Sequence, residues 1–355
     1  MSNSDVVLHV RKALTVQQAK TADPRRFLDI AYAFWQSKVL FTAVELDLFT
    51  KLAQGPTDLG ALTSRLGIHQ RSARDFLDAL VALGLLDRTP DNHYSNSSEA
   101  AAYLVSGTSS YIGDLIKHLN ARHYQNWNLL TRALVTGEPQ TTLGTESYAA
   151  FYADNSAQDI FLRGMTAGSL FAARALARVF PWNQYQTAID IGTAQGCVPV
   201  EIARVHQHLR GGGFDLPAVG QAFARYVRRH CLADRLKFYP GDFFINPFPQ
   251  ADVLIMGRIL HNWNGSVRAM LLNKAYQSIL PGGALVVFDP LIDDERRHQA
   301  HGLLSSLNML IETEGGAEYT AAECKEWMVQ AGFTEIRIEP LGDVHGALIG
   351  FKAPH

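Results

Sequence analysis

Residues 187–196, with the sequence TAIDIGTAQG, combine a short apolar run with a glycine-bearing turn. The run at 188–191 predicts a buried strand, and Gly192 and Gly196 predict a tight turn that opens a helix. Backbone N–H groups at such a junction face a ligand. Asp215 ends what reads as the next strand, where a carboxylate can accept hydrogen bonds from both hydroxyls of a ribose. The pair indicates a cofactor that contains a nucleoside.

The glycine spacing argues against two common phosphate-binding sites. A dinucleotide fingerprint needs G-x-G-x-x-G, but Thr193 and Ala194 follow Gly192. No Lys-Ser or Lys-Thr pair follows, which excludes a P-loop. A cofactor with a ribose and no phosphates fits better, and S-adenosylmethionine is the common one. The alternative is that the glycines only close a tight strand–helix connection and that Asp215 is an ordinary cap.

Length and composition describe an ordinary globular protein. The 355 residues suffice for two domains, and the net charge of -2 predicts no broad attraction to nucleic acid or an anionic membrane. Cys197, Cys231 and Cys324 are too widely spaced for a disulfide framework or a metal pair, which favours a reducing compartment. Residues 1–20 have no apolar core of signal-peptide length, and no run is long enough to span a membrane. We therefore expect a cytoplasmic protein.

The N-terminal third has a helical pattern. Apolar residues at helical spacing predict a helix over 27–52, then two shorter helices over 59–66 and 71–83. Residues 85–94 follow as strand, turn and strand. Helix, turn, helix and a two-stranded wing form the winged-helix pattern.

A winged helix has two interpretations. A helix that reads DNA presents basic side chains to the groove, but here Asp75 and Asp78 stand beside Arg71 and Arg74. The same helix is apolar on several sides, and apolar faces need a partner. Burial against another subunit is therefore favoured, and we expect a homodimer that binds neither nucleic acid nor a membrane.

The rest of the chain changes its pattern at about residue 182. Helices are predicted over 111–134 and 157–180, and strands and helices then alternate, which predicts a mostly parallel, doubly wound sheet. The last two strands, over 335–338 and 345–351, are joined so tightly that they must run antiparallel. This ending is unlike that of a plain dehydrogenase domain.

Five motifs in this order resemble a known family across nearly the whole chain. They are similar to those of the class I S-adenosylmethionine-dependent O-methyltransferases of the caffeate and hydroxyindole type: DIGTAQG at 190–196, FDLP at 214–217, GDFF at 241–244, HNW at 261–263 and GGAE at 315–318. The resemblance implies a Rossmann-like α/β domain with an antiparallel C-terminal strand, preceded by a mostly α, winged-helix-like dimerisation domain. It implies boundaries at 1–108 for dimerisation, 109–180 for connecting helices beside the acceptor, and 181–355 for catalysis.

The resemblance also assigns residues to the methyl donor, whose product is S-adenosylhomocysteine. Eight positions match: Gly192 and Gly196 at the amino-acid end, Ser169 at the carboxylate, Asp215 at the ribose, Leu216, Asp242 and Phe243 at the adenine, and Asp190 within the first motif. No metal is expected, because the sulfonium already carries the leaving group.

The same resemblance implies a general base and an acceptor pocket. His261 matches the base, with Asp289 and Glu318 as the acids that flank it, and His118, Phe161, Met165 and Met309 are expected beside the acceptor. A neutral imidazole is suited to remove a hydroxyl proton, and adjacent carboxylates orient the ring. The residues alone also allow roles without catalysis. His261 could be a structural hydrogen-bonding residue, Asp289 a cap and Glu318 a solvated loop acid. Met165 and Met309 could be core residues, and His118 could lie on a solvated helix face.

Three departures from the family pattern bear on these assignments. Thr193 and Ala194 stand where many relatives have glycine, and their Cβ atoms affect how closely a cofactor approaches. Gly257 replaces a lysine that meets the adenine in the plant enzymes. Asn262 replaces an aspartate, which removes a charge near His261 and is expected to lower its pKa.

The leading hypothesis is methylation of a hydroxyl on a small aromatic or polyketide-like metabolite. A second hypothesis is methylation at nitrogen or carbon, or non-methylating chemistry in the same pocket. The third, from another class, is a DNA-binding regulator that senses the cofactor. The sequence does not identify the acceptor, because apolar wall residues do not reveal the shape of the pocket.

Overall fold

The structure, a computed structural model, describes residues 23–141, 148, 152 and 155–354. Residues 1–22 of the predicted dimerisation domain lie outside the described residues. Among the described helices, none is both long and apolar enough to cross a bilayer.

The N-terminal part is helical with a small three-stranded sheet. Its helices are α1 Arg25–Glu45, α2 Leu48–Leu52, α3 Leu59–Leu66, α4 Gln70–Ala82 and α5 Ser98–Tyr103. Its antiparallel strands are β1 Thr57–Asp58, β2 Leu86–Arg88 and β3 His93–Asn96, in the order β1-β3-β2. Helices α3 and α4 with the wing β2–β3 follow the predicted winged-helix order, and α4 buries Ala73, Leu77 and Leu80.

Two predicted helices are interrupted. The helix predicted over 27–52 breaks after α1, because Asp47 adopts a left-handed conformation with φ 55°. The helix predicted over 111–134 contains a π-helical turn, Leu119–His123, which a pattern of regular spacing does not reveal. Its segments are α6 Gly113–His118, the π turn, α7 Tyr124–Asn126, a 3-10 turn Trp127–Leu129 and α8 Leu130–Thr136. The long helix α9, Asn155–Val179, follows.

The C-terminal part is a seven-stranded sheet with helices on both faces. Its strands are β4 Thr187–Ile191, β5 Arg210–Asp215, β6 Leu236–Pro240, β7 Ala251–Gly257, β8 Ile279–Pro290, β9 Thr334–Pro340 and β10 His345–Phe351, in the order β6-β5-β4-β7-β8-β10-β9. Its helices are α10 Cys197–Val205, α11 Gly220–Arg229, α12 Gly265–Ser278, α13 Ala300–Glu312 and α14 Ala321–Gln330. Within this sheet β10 runs opposite to the other six strands, so the predicted fold class is confirmed.

The central strands are buried on both faces, as a parallel sheet requires. Alternate residues of β7 pack against two different layers: Val253 contacts a core shared with α9, and Leu254 contacts a core shared with α12 and α14. The chain runs from β4 outward to β6 and then returns to β7 on the other side of β4. Ligands of open α/β sheets bind at such a reversal, outside the carboxyl ends of the strands.

Candidate active site

The turn after β4 is held directly by the acid at the end of β5. Gly192, Ala194 and Gly196 all have positive φ, at 73°, 50° and 89°. The Asp215 carboxylate accepts hydrogen bonds from the backbone N–H of Ala194, at 2.8 Å, and of Leu216, at 2.7 Å. Burial raises the pKa of Asp215 to about 6, and the two hydrogen bonds oppose this shift because they stabilise the carboxylate. The two sequence features predicted to act as a pair are therefore in contact.

The structure accommodates both departures in this turn. A Cβ atom at Gly213 would lie 2.2 Å from Cγ2 of Thr193, so the glycine of β5 provides the space for the threonine. Ala194 adopts a left-handed conformation, which destabilises a residue with a Cβ by about 1–2 kcal/mol. A glycine at this position would adopt it without strain. Asp190, at the end of β4, is 3% exposed, and burial raises its pKa to about 8.

The predicted adenine side lies in the turn after β6. Asp242 accepts a hydrogen bond from the N–H of Phe244 at 2.8 Å, and the Phe243 ring meets the Trp263 ring edge-on at 5.7 Å. A Cβ atom at Gly257 would lie 2.1 Å from Cζ of Phe288, its partner in the β7–β8 register. The phenyl ring thus fills the place where a lysine side chain would begin.

Helix α9, which carries Ser169, is tied to the turn after β4. The Thr166 hydroxyl donates to Oε1 of Gln195 at 3.0 Å, which ties the helix to the turn. Phe161, Met165 and Ser169 are spaced four residues apart and so share one face of α9.

The predicted base and its two acids form one buried cluster. His261, on a 3-10 turn after β7, is 3% exposed, and its Nδ1 lies 2.8 Å from Oε1 of Glu318 and 3.7 Å from Oδ1 of Asp289. Because a carboxylate only accepts, the proton belongs on Nδ1 and the lone pair is on Nε2. Ser305 donates to the same Glu318 oxygen at 2.6 Å, and the Tyr319 hydroxyl donates to Oδ2 of Asp289.

Charge and burial oppose each other at this cluster. Burial lowers the pKa of His261, but Glu318 and Asp289 outweigh it, so the net shift is upward from 6.5. Burial raises the pKa of Asp289 to about 6. The aspartate that relatives carry in place of Asn262 is therefore not needed to favour the imidazolium.

The same three groups offer ligand atoms within 4.8 Å of one another, the geometry of a cation site. In the described structure Nδ1 of His261 is a hydrogen-bond donor to Glu318, and a protonated nitrogen cannot ligate a metal.

The predicted acceptor residues lie on three helices, α6, α9 and α13. His118 is buried against Phe161, with ring centroids 5.6 Å apart, and burial lowers its pKa to about 3, so its ring is neutral at pH 7. Met309 is buried on α13, four residues after Ser305 and so on the same helix face. Met165 is half-buried on α9.

The segment 258–261 connects the two halves of the site. A Cβ atom at Gly192 would lie 2.3 Å from Cδ1 of Ile259, so the residues leading to His261 pack directly on the cofactor turn. Arg258 has φ 58°, and Nδ2 of Asn262 donates to its carbonyl at 3.0 Å, a bond an aspartate cannot make. The Tyr148 hydroxyl donates to Oδ1 of Asn262 at 3.5 Å.

Sequence reasoning missed Arg258, Tyr148 and Ser305 as members of the site. The sequence offered one indication for Arg258. It lies two residues after the apolar run at 253–256, and an arginine so close to a buried strand usually has a binding partner. No pattern in the sequence marks Ser305 or Tyr148, because each reaches the site through packing between distant elements.

Comparison with known proteins gives two family matches. A family profile described as an O-methyltransferase domain matches residues 127–334, and one described as an O-methyltransferase dimerisation domain matches residues 28–106. The first covers more than half of the chain.

Individual relatives match over almost their whole length. The chain is 41% identical to the tetracenomycin polyketide synthesis 8-O-methyl transferase TcmO of Streptomyces glaucescens, over 93% of this chain and 97% of that protein. It is 36% identical to the N,N-dimethyltransferase OxyT of Streptomyces rimosus, over 94% of this chain and 97% of that protein. The crystal structure of human N-acetylserotonin methyltransferase in complex with SAM superposes with a TM-score of 0.86 at 26% identity, covering 95% of this chain and 100% of that one.

Proposed function

The chain belongs to the O-methyltransferase family, and from that premise we propose that it methylates a hydroxyl of a small aromatic or polyketide-like metabolite with His261 as general base. The family uses S-adenosylmethionine, so the predicted cofactor is confirmed. One observation carries the proposed mechanism: the Nδ1 of a buried histidine is held by Glu318, while the chain leading to it packs on the turn at Gly192.

The base acts through the lone pair on Nε2. As the acceptor oxygen attacks, Nε2 takes its proton and the ring becomes an imidazolium. Glu318 and Asp289 lie where they stabilise that positive charge, as the net upward shift in the pKa of His261 indicates. General base catalysis of this kind contributes roughly 10²–10⁴-fold. The sulfonium of the bound donor supplies the methyl group and its own leaving group, so the reaction needs no metal.

The cofactor assignments follow from the same geometry. Asp215 is fixed by two backbone N–H groups, and each of its oxygens keeps a lone pair for a ribose hydroxyl. Asp242 and Phe243 lie after β6, at the same edge of the sheet, which supports the proposal that they contact the adenine. Ser169 completes the proposed cofactor-binding set from α9.

Nitrogen methylation is the second candidate, because OxyT is named as an N,N-dimethyltransferase and is 36% identical to this chain. An amine that is neutral at pH 7 already has a free lone pair and needs no base before it attacks. Removal of the base therefore separates the two reactions.

The test uses a donor labelled in the methyl group and matched pairs of acceptors, each a phenol and the corresponding aniline. We expect label in the phenol products, and we expect His261→Ala to slow this transfer by roughly 10²–10⁴-fold. Transfer to anilines alone, undiminished in the variant, would overturn both the hydroxyl acceptor and the base.

We further propose that the dimer forms through the N-terminal part. Helix α1 exposes Phe27 (73%), Ile30 (67%) and Trp35 (57%), an apolar surface of the kind that interfaces cover. Light scattering at micromolar concentration tests the assembly, and a monomeric mass would contradict it.

Two other sequence predictions stay proposals. The domain boundaries near residues 108 and 180 are tested by expressing residues 181–355 alone. A cytoplasmic location fits the absence of disulfide bonds among Cys197, Cys231 and Cys324. Microscopy of a fluorescently tagged copy in the host tests this location. Binding of DNA is not expected, since Asp78 on α4 pairs with Arg88 at 2.6 Å and accepts from Tyr94 at 2.8 Å.

A further inference from the structure

Arg258 is a cation without a hydrogen-bonded anion in the described part of the chain. Burial lowers its pKa, and the more distant carboxylates of Glu318 and Asp289 offset only part of that shift. Its Nε is buried and makes no hydrogen bond, and within the described part of the chain the guanidinium forms no ion pair. The residue as a whole is half-buried, but a guanidinium nitrogen removed from water without an acceptor is costly. A missing anion or carbonyl oxygen of a ligand accounts for such a side chain.

The local backbone is built to hold this arginine in place. Its φ of 58° is unfavourable for a residue with a Cβ, and such strain clusters at ligand-binding positions. The N–H donates to the carbonyl of Phe288 at 2.8 Å, and the Arg258 carbonyl accepts from Asn262 at 3.0 Å. Both peptide groups are thus tied to neighbouring structure, which directs the side chain.

The side chain extends beneath α9. A Cβ atom at Gly168 would lie 2.6 Å from Nη1 of Arg258 and 3.6 Å from Cδ1 of Leu115. The absence of a side chain at Gly168 therefore makes room for the guanidinium between α9 and α6. His118 follows Leu115 by three residues on α6, and Met165 precedes Gly168 by three on α9, so the proposed acceptor residues lie on either side.

The electrostatic neighbours of Arg258 belong to the acceptor end. Burial lowers the pKa values of His118, His123 and His345, and the charge of Arg258 adds to that effect. The acids that act on Arg258 itself are Glu318 and Asp289 of the His261 cluster. Arg258 has no comparable influence on the cofactor acids Asp190 and Asp215.

We propose that Arg258 anchors the acceptor by binding an anionic oxygen pair, a carboxylate or the enolate form of a β-diketone, beside the hydroxyl that is methylated. The inference rests on the proposed function, because it assigns one part of that site. The planar guanidinium binds two oxygens in one plane, which fixes the orientation of an aromatic acceptor as well as its affinity. The neighbouring histidines are neutral, and the carboxylates of Glu318 and Asp289 do not come within ion-pair distance of the guanidinium, so it remains available to a ligand anion.

The test measures binding to the protein loaded with S-adenosylhomocysteine, so no turnover is needed. The probes are 3-hydroxy-2-naphthoate and its neutral amide, which have similar shape and differ in charge. By calorimetry we expect the wild type to prefer the acid by about tenfold, and Arg258→Met to reduce that preference to under about threefold. Equal binding of the two probes to the wild type, or failure of both to bind, overturns the proposal.

A second variant tests the proposal in case Arg258→Met does not fold. Gly168→Ala adds one methyl group against the movable end of the arginine, and we expect it to reduce the preference for the acid without removing a charge. The matched control is Arg163→Met, which removes an exposed guanidinium from the outer face of α9 and should leave the preference unchanged.

Two other outcomes are decisive. If Arg258→Met weakens S-adenosylhomocysteine and leaves the preference for the acid intact, Arg258 serves the cofactor and the proposal is wrong. If the wild type prefers the acid as expected but transfers label to no phenol, the anchor stands and the proposed function fails.

Discussion

The proposed cofactor end and the proposed acceptor end of the candidate active site are built in different ways. At the cofactor end, Asp215 is held by backbone N–H groups of residues 194 and 216, so the site consists of turns between consecutive strands. At the acceptor end, His261 depends on Glu318, 57 residues later in the chain, and on Asp289. A local turn can be recognised as a sequence motif. A cluster of side chains that are distant in the sequence forms only when the core packs.

The largest effect should come from the acceptor end. His261→Ala removes the base, and we expect kcat to fall by roughly 10²–10⁴-fold with donor affinity nearly unchanged. Steady-state kinetics and calorimetry with S-adenosylhomocysteine measure the two quantities. The exposed His298→Ala is the control. An equal loss of donor binding would show that the two ends are not separate.

The matching experiment at the cofactor end is Asp215→Ala. Because charge-assisted hydrogen bonds to the ribose are lost, we expect the dissociation constant for S-adenosylhomocysteine to rise by about 10–100-fold. In the wild type, affinity should weaken as the pH falls through about 6, where Asp215 becomes protonated. Asp234→Asn, at an exposed position, serves as the control. A pH-independent affinity would contradict the ribose assignment.

The third change separates the base from its positioning acid. Glu318 contributes to raising the pKa of His261, so Glu318→Gln should lower that pKa. The rising limb of kcat/KM against pH should then move to lower pH, while the plateau falls by about tenfold because the imidazolium is less stabilised. A lower plateau with an unmoved midpoint would assign Glu318 a structural role only.

The smallest expected effect concerns the turn at the cofactor end. Ala194→Gly relieves a left-handed alanine but adds freedom to the unfolded chain and removes a packed methyl group. These contributions offset, so we expect the free energy of unfolding to change by less than about 1 kcal/mol. Thermal denaturation of the cofactor-free protein measures it. A loss of several kcal/mol would show that the methyl group is a packing element of the turn.

The same contrast explains how far the sequence could be interpreted. The bounds of α3, 59–66, were predicted correctly because Gly67 stops a strongly periodic segment, and the final antiparallel strands followed from their short connection. The break at Asp47 and the π turn before residue 124 were missed, since tertiary packing overrides regular spacing there.

Site prediction has the same limit. The sequence predicted that the turn at Gly192 and Asp215 serve one ligand, and the structure adds that the two are in direct contact. The roles of His261, Asp289 and Glu318 came from resemblance, and the structure brings the three together without testing what they do. Arg258 was missed because a sequence does not show which charges lack partners.

The pair Gly257 and Phe288 has a consequence for how such enzymes diverge. Two residues on neighbouring strands share one volume, since the phenyl ring occupies the space that any side chain at 257 would need. A lineage that exchanges this arrangement for a lysine must pass through a variant with either a clash or a void. Anyone who transplants the strand end between relatives must therefore move both positions in a single step.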